Sequence, residues 1–219
     1  KSYVGHAMYW GLQAEMHRPE ATERYGLLIS VFLRHCGDYR NGIGHQCFFM
    51  QKLQSAQVKI KSMPSKQKQK VEMIDQLKNM IDVLPESFKL PLRGNVVIKT
   101  LVPEKCRVMS SKMKPLWLNC KTQRDQSYTV LFKAGDDLRQ DQLTLQLLNI
   151  FNELWRQHPS INTRVQIDLW EKDKTFDLRM TPYGCVATGD EVGLIEIVKN
   201  ANTVAGILLN AKADINTYI

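Results

Sequence analysis

A charged run in the second half of the chain has the residue types that bind a phosphate group. The run is Lys133–Asp141, and it directly follows the apolar stretch Val130–Phe132. A lysine that ends an apolar strand is partly buried, so it needs a carboxylate or a phosphate as its partner. Asp141 falls on the same helical stripe as Leu145, which predicts an inward carboxylate that pairs with Lys133 and positions a nucleotide phosphate. The other interpretation is that the aspartates of the run only interact with the positive N-terminus of the following helix.

A second basic segment, Met109–Leu118, is predicted to form a hairpin between two strands. Ser110 and Ser111 are small hydroxyl residues that would expose backbone N–H groups at its tip, while Lys112 and Lys114 add positive charge. Such a tip can close over phosphates without a glycine-rich loop. Taken alone, the segment is also typical of an ordinary basic hairpin.

A third segment, Leu178–Val198, ends in an apolar strand that is interrupted only by Glu196. A strand that leaves a sheet to join a second lobe offers its backbone C=O and N–H groups to an adenine. Glu196 would then need no special chemistry of its own side chain.

The elements that must position these segments change character near residue 92. Before it, apolar residues recur at helical spacing and predict four helices. Their predicted ranges are Val4–His17, Glu20–His35, Gly42–Lys61 and a helix capped by Ser65 and ending near Leu84. In the second of these helices, Leu27, Leu28, Val31 and Phe32 lie on one apolar stripe.

After residue 92 the pattern predicts an antiparallel sheet with one long helix. The predicted strands are Asn95–Thr100, Cys106–Met109, Leu116–Leu118, Tyr128–Phe132, Leu178–Thr181, Cys185–Ala187 and Leu194–Val198, with Arg164–Trp170 as a further strand or flap. The long helix is Leu138–Gln157, with Leu147, Leu148, Phe151, Leu154 and Trp155 on one face, and Thr203–Leu209 starts another helix. Helices followed by an antiparallel sheet make the predicted fold α+β.

The composition is that of a globular protein, with 43% hydrophobic and 24% charged residues in a chain of 219. No apolar stretch reaches the roughly 18 residues that a membrane-spanning helix needs. The formal net charge is +8, and much of the excess lies between Lys52 and Lys78. These lysines form either a solvated helix face or a surface attracted to anionic lipid. Aromatic residues are not interleaved with them as a stacking surface for bases requires, so nucleic acid is not a predicted partner.

The five cysteines disfavour both a disulfide framework and a zinc site, because their number is odd and no pair has the CxxC spacing. His35, Cys36, His45 and Cys47 are close in sequence, but all four are predicted to lie on helices or their connection, and no metal site is predicted. A reducing, cytosolic setting fits this cysteine usage best.

The three segments together resemble the class I phosphoinositide 3-kinases. The phosphate-binding hairpin, the lysine strand with its helix, and the hinge approach of that family correspond to Met109–Leu118, Phe132–Asp141 and Leu178–Val198. The run Lys133–Asp141 is typical of the phosphoinositide 3-/4-kinase and related kinase group, while Pro182–Cys185 and Gly193–Glu196 narrow the resemblance to phosphoinositide 3-kinases. Pro85–Phe88 and the helices before it resemble the end of the family's helical domain, so the resemblance covers nearly the whole chain.

This resemblance implies the domain organisation. Residues 1–84 would be the end of a solenoid-like helical domain and residues 85–94 a linker. Residues 95–198 would be the kinase N-lobe with its hinge, and residues 199–219 the truncated start of the C-lobe.

The resemblance also implies the roles of individual residues. The ATP-binding residues would be Ser111 and Lys112 from the hairpin, Lys133 on the α-phosphate, Asp141 and Tyr183 in the inner polar pocket, and Glu196 and Val198 through their backbone at the hinge. The adenine pocket would be formed by Met109, Trp117, Leu131, Ile195 and Ile197.

The implied chemistry is transfer of the ATP γ-phosphoryl group to the inositol 3-hydroxyl of a membrane phosphoinositide, with magnesium. The family's catalytic Asp-Arg-His sequence and its metal-binding Asp-Phe-Gly sequence do not occur here. We therefore expect no catalytic residue and no metal ligand in these 219 residues, and no kinase activity from them alone. The implied setting is the cytoplasm, with recruitment to the inner face of membranes. An adaptor subunit, Ras or Gβγ would bind through parts of the protein that are not present.

Two alternatives to a lipid kinase remain open. One is a non-catalytic nucleotide-binding or scaffold module, and the other is a protein kinase of the related large kinase family, which Pro182–Cys185 disfavours. Two departures from the family are a predicted insertion at Ser160–Phe176 and Met113, which stands where relatives often have lysine.

Overall fold

The structure, a computed structural model, describes residues 3–92, 96–157 and 180–211. Its first part consists of four helices: α1 (Tyr3–Ala14), α2 (Pro19–His35), α3 (Tyr39–Ser62) and α4 (Lys66–Ile81). Gly37 takes a φ of 60° just after α2, and the Ser65 hydroxyl accepts a hydrogen bond from the backbone N–H of Lys68. Both residues are helix-end signals that the sequence predicted, and the helices begin and end within a few residues of their predicted bounds.

The second part is an antiparallel sheet. Its strands are β1 (Phe88–Lys89), β2 (Val97–Leu101), β3 (Arg107–Val108), β4 (Leu116–Thr122), β5 (Ser127–Ala134), β6 (Cys185–Gly189) and β7 (Val192–Glu196). The order across the sheet is β1-β2-β4-β5-β7-β6, and β3 pairs with β4 beside this path. Strand β1 comes from the predicted linker and places Phe88 opposite Ile98 of β2. The fold is therefore α+β, as the sequence predicted.

The central strands β4 and β5 have one face in the hydrophobic core. Their opposite face is called the site face, because it carries residues of the predicted adenine pocket. Leu116 and Leu118 of β4 and Val130 and Phe132 of β5 are each 0% exposed. They belong to one hydrophobic core with the helices, and α3 and α4 contact the strands directly. Because side chains alternate along a strand, the residues between these four point to the opposite face.

Hydrogen bonds hold α1 to α3 and to the segment that leads into the sheet. The buried ring of His6 bonds through Nδ1 to the Tyr39 hydroxyl at 2.7 Å and through Nε2 to the carbonyl of Pro91. Trp10 Nε1 donates to Gln46 Oε1 at 2.9 Å. A carbonyl can only accept, so in the neutral ring Nε2 carries the proton and Nδ1 accepts from Tyr39.

The long helix α5 (Arg139–Gln157) lies against β6 at the edge of the sheet. Gln142 Oε1 accepts a hydrogen bond from the backbone N–H of Ala187 at 2.8 Å. Further along, the Asn152 side-chain amide bonds to both backbone groups of Met180, donating to its carbonyl and accepting from its N–H at 2.8 Å each. The last described helix, α6 (Val204–Ala211), follows β7.

In two helices, the apolar residues that periodicity places on one stripe are largely exposed. In α2, Leu27, Leu28 and Val31 are 67%, 46% and 49% exposed, and Ile29 is buried instead. In α5, Leu147, Phe151 and Leu154 are also exposed. Periodicity identifies residues that share a helix face, but burial depends on whether another element covers that face.

The strand predicted at Leu178–Thr181 is wrong over its described residues, since Met180 and Thr181 are not in a strand. The physical reason is that the Asn152 amide takes up both backbone groups of Met180 that a strand partner would use. The predicted strand Arg164–Trp170 and the insertion Ser160–Phe176 lie outside the described residues. Within the described ranges, the helices are all too short or too polar to cross a membrane.

Candidate functional site

The basic segment forms the predicted hairpin. Strands β3 and β4 pair with Arg107 opposite Trp117, and the backbone N–H of Met109 donates to the carbonyl of Pro115 at 2.9 Å. At the tip, the N–H of Lys114 donates to the carbonyl of Ser111 at 3.1 Å, and Lys114 has a φ of 50°. Ser111 and Lys112 are exposed. The tip therefore presents hydroxyl and ammonium groups to solvent, as phosphate binding requires.

Lys133 lies on the site face at the end of β5, opposite Gly193 of β7. Its ammonium donates to Asp136 Oδ2 at 2.7 Å, and its side chain is 26% exposed. The sequence predicted a partly buried lysine, and this part is confirmed. The partner differs, because the predicted partner was Asp141. Gly135 turns the backbone at a φ of 95° and brings Asp136, only three residues away, back to the ammonium.

Asp141 nevertheless lies in the same neighbourhood, as the thiol of Cys185 on β6 shows. The pKa of Cys185 is raised to about 12, mainly by burial and also by the Asp141 carboxylate, while the Lys133 ammonium opposes this shift. A pKa above the ordinary value keeps this thiol protonated at neutral pH, so it is not a nucleophile. Lys133 and Asp141 thus both act on one half-buried atom at the inner end of the site.

An ion-pair network fixes the beginning of α5. Asp137 Oδ1 accepts from the backbone N–H of Arg139 at 3.0 Å, which makes it the predicted helix cap. The Arg139 guanidinium also pairs with Asp137 at 2.8 Å and with Glu15, beyond the end of α1, at 2.7 Å. Glu15 in turn pairs with Arg18. The network joins the helical part of the chain to the helix that carries Asp141.

Acidification is expected to weaken this network. Hydrogen bonds from Arg139 lower the pKa of Asp137 to about 2, and they also lower the pKa of Glu15. A carboxylate with a lowered folded-state pKa stabilises the fold above its unfolded pKa, and this stability is lost as the pH falls through the folded pKa. We expect the free energy of unfolding, measured by chemical denaturation, to fall as the pH drops from about 5 toward about 2.

The matched control for this pH dependence is the double variant Glu15→Gln/Asp137→Asn. It should be less stable at neutral pH and should lose less further stability on acidification. An unchanged pH profile in the double variant would contradict the assignment to this network.

Three apolar residues are in register across the site face of the sheet. Trp117 of β4 lies opposite Leu131 of β5, which lies opposite Ile195 of β7. All three are half-buried, and so are Met109 and Ile197, the other residues of the predicted adenine pocket. The guanidinium of Arg107 lies 4.2 Å from the centre of the Trp117 ring. The sheet therefore offers an apolar surface wide enough for a flat ring, two residues along β5 from Lys133.

The segment at the end of β7 is held by both the backbone and the side chain of Glu196. Its N–H donates to the carbonyl of Gly184 at 2.7 Å, and its carboxylate accepts from the N–H of Gly184 at 2.8 Å. The N–H of Ile197 donates to the carbonyl of Thr129 at 3.1 Å. Tyr183 is thereby placed next to a fixed residue, and Val198, 44% exposed, lies just past the last bond to β5.

Two side chains that shape the site were not predicted from the sequence. Glu196 was predicted to act only through its backbone, whereas its carboxylate also binds the N–H of Gly184. Gln57 of α3 was not predicted either. It is 2% exposed and donates to the carbonyls of Met113 and Lys114 at the hairpin tip. The signal for Gln57 was its place as a polar residue beside Ala56, on the buried stripe of an amphipathic helix, because a buried amide needs hydrogen-bond partners.

In the described part of the chain, no three histidine, cysteine or acidic side chains come together in a way that could hold a metal ion.

Comparison with known proteins adds to this geometry. Residues 127–218 match the family model described as phosphatidylinositol 3- and 4-kinase. Phosphatidylinositol 3-kinase 2 of Dictyostelium discoideum is 39% identical over 209 residues, which are 94% of this chain and 10% of that protein. Phosphatidylinositol 3-kinase 1 of the same organism is 33% identical over 207 residues, which are 93% of this chain and 12% of that protein. The chain thus spans about a tenth of the length of these relatives.

Proposed function

Because this chain belongs to the phosphatidylinositol 3-kinase family, we propose that it forms the nucleotide-binding part of a lipid kinase. The reaction is transfer of the γ-phosphoryl group of ATP to the inositol 3-hydroxyl of a membrane phosphoinositide. The observation that supports this most strongly is the register that aligns Trp117, Leu131 and Ile195 across three strands, with Lys133 two residues along β5 from Leu131.

In this proposal the adenine lies on the apolar row, between Met109 and Ile197 at its margins. The carbonyl of Glu196 and the N–H of Val198 bind the edge of the base. This arrangement is supported by the way the Glu196 side chain fixes the end of β7 against Gly184, because fixed backbone groups bind a ligand without first being ordered.

The phosphates lie beside the row, on the side where β5 continues to Lys133. Ser111 and Lys112 bind them from the hairpin tip, and Lys133 binds the α-phosphate. The bond from Lys133 to Asp136 is compatible with this role, since Asp136 is 51% exposed and holds the ammonium near the surface until a phosphate replaces it. Asp141 and Tyr183 line the polar pocket behind Lys133.

Phosphoryl transfer depends mainly on positioning and on neutralising charge. Magnesium, when bound with ATP, would neutralise charge that develops on the phosphates, and its ligands lie outside this chain in our proposal. The lipid-binding loop and the sites for an adaptor subunit, Ras or Gβγ also lie outside it. The proposed setting is the cytoplasmic face of a membrane.

The test is a lipid kinase assay on the full-length protein that the gene encodes. The protein is incubated with radiolabelled ATP, magnesium and vesicles that contain phosphatidylinositol or its 4,5-bisphosphate. We expect label at the 3-position of the inositol ring. The matched control is phosphatidylinositol 3-phosphate, whose 3-hydroxyl is already blocked, and it should not be labelled.

Two results would count against the proposal. Label on the 4-position instead of the 3-position would keep the lipid kinase and overturn its specificity. Binding of ATP with no label on any of these lipids would favour the non-catalytic nucleotide-binding module.

A further inference from the structure

A glutamine of the helical part holds the tip of the phosphate-binding hairpin. Gln57 lies in α3 and is 2% exposed. Its Nε2 donates to the carbonyl of Met113 at 2.9 Å and to the carbonyl of Lys114 at 3.1 Å. The two carbonyls belong to consecutive residues at the tip, directly after Lys112, so one side chain fixes the orientation of two successive peptide units.

The tip needs such support. Lys114 has a φ of 50°, in the left-handed region that side chains other than glycine adopt only at a cost in free energy. The hydrogen bond from the Lys114 N–H to the Ser111 carbonyl closes the turn, and the carbonyls of Met113 and Lys114 take no part in that bond. Gln57 supplies donors to those carbonyls, and a buried pair of hydrogen bonds resists rearrangement because breaking it leaves polar groups unsatisfied.

The same helix also reaches the end of the lysine strand. Lys61, one helical turn after Gln57, places its ammonium 3.5 Å from the carbonyl of Ala134, next to Lys133. Between these two contacts, the Met113 side chain packs against Gly135, with its sulfur 3.0 Å from the point where a Cβ would stand. Helix α3 therefore contacts both segments that carry the phosphate-binding groups.

We propose that Gln57 is a positioning residue for the phosphates of the bound nucleotide. By holding the hairpin tip at a fixed distance from the end of β5, it sets the spacing between Lys112 and Lys133. The inference rests on the proposed function, because it assumes that these two lysines bind one nucleotide. It assigns to the helical part of the chain a direct effect on nucleotide affinity. The effect is expected on phosphate binding, because both hydrogen bonds of Gln57 go to the hairpin tip that carries Ser111 and Lys112.

The test compares ATP with adenosine, which shares the base and lacks the phosphates. Binding of each is measured on the full-length protein by competition with a fluorescent ATP analogue. In Gln57→Met, which keeps a similar length and loses both donors, we expect the Kd for ATP to rise about fivefold or more, since one or two neutral hydrogen bonds supported the tip. The Kd for adenosine should stay within about twofold, because the base contacts are unchanged.

The matched control is Gln69→Met in α4. Gln69 is another glutamine with low exposure, 9%, and it donates to a backbone carbonyl, that of Met63, within the helical part. Its loss should lower thermal stability without changing the affinity for ATP or adenosine. Gln57→Asn is a milder variant that keeps the amide but shortens its reach, and it should shift ATP affinity in the same direction by less.

The outcomes separate the two proposals. If a folded Gln57 variant shows the same change for ATP and adenosine, or no change for either, the positioning role is wrong and Gln57 only stabilises the fold. If the unmodified protein binds neither ligand, the proposed nucleotide function itself fails.

Discussion

Replacing Lys133 with methionine should reduce lipid phosphorylation by at least about a hundredfold, because the cation that binds the α-phosphate in our proposal positions ATP for transfer and neutralises charge on its phosphates. The fold should remain close to the original. The Lys133 side chain is 26% exposed and its partner Asp136 is 51% exposed, so water can solvate the carboxylate that the substitution leaves behind. The measurement is turnover of phosphoinositide by the full-length protein, with thermal unfolding recorded on the same samples.

Lys99→Met is the matched control for this variant. Lys99 is also a strand lysine of the same sheet and also lies near an aspartate, Asp125, at 3.7 Å, but it is on β2, away from the site. Turnover should be unaffected by it. Normal turnover in Lys133→Met would refute the role of Lys133, and an equal loss in both variants would point to a general effect of removing charge.

The second large effect is expected on stability. Gly193 of β7 lies opposite Lys133, and a Cβ on it would stand 2.1 Å from the carbonyl oxygen of Val186 and 2.9 Å from a methyl group of Leu138. The first contact is with backbone, which cannot rotate away. Gly193→Ala should therefore destabilise the protein by at least about 3 kcal/mol, since β6 must separate from β7 to make room.

The contrasting substitution is Gly44→Ala in α3. A Cβ there has no neighbouring atom within 4 Å, so the change should stabilise the helix by about 0.5 to 1 kcal/mol through propensity alone. Denaturation with urea at neutral pH measures both variants. A Gly193→Ala protein within 1 kcal/mol of the parent would mean that the two edge strands are not packed as described.

Local signals in the sequence determined what could be predicted of this fold. Ser65 begins α4 through a contact within three residues, and the apolar stretches Leu116–Leu118 and Tyr128–Phe132 predicted the strands β4 and β5. The exposure of the α2 stripe at Leu27 and Leu28 could not be predicted, because it depends on which elements reach that side of the helix. Local patterns carry no information about such a distant neighbour.

The site shows the same division. The hairpin and the half-buried Lys133 followed from their own segments. The ion-pair partner of Lys133 was predicted wrongly. Helical spacing favoured Asp141 as this partner, whereas the positive φ of Gly135 brings Asp136 back to the ammonium. Gln57 bonds to Met113 and Lys114, which lie 56 and 57 positions later in the sequence. Only the packing of α3 against the hairpin brings these residues together.

The bonds between Asn152 and Met180 have a consequence for engineering the protein. One amide joins α5 to both backbone groups of Met180, the residue at which the described chain resumes before β6. A redesign of α5 should therefore keep an amide at position 152, since its loss would leave both backbone groups of Met180 without these partners.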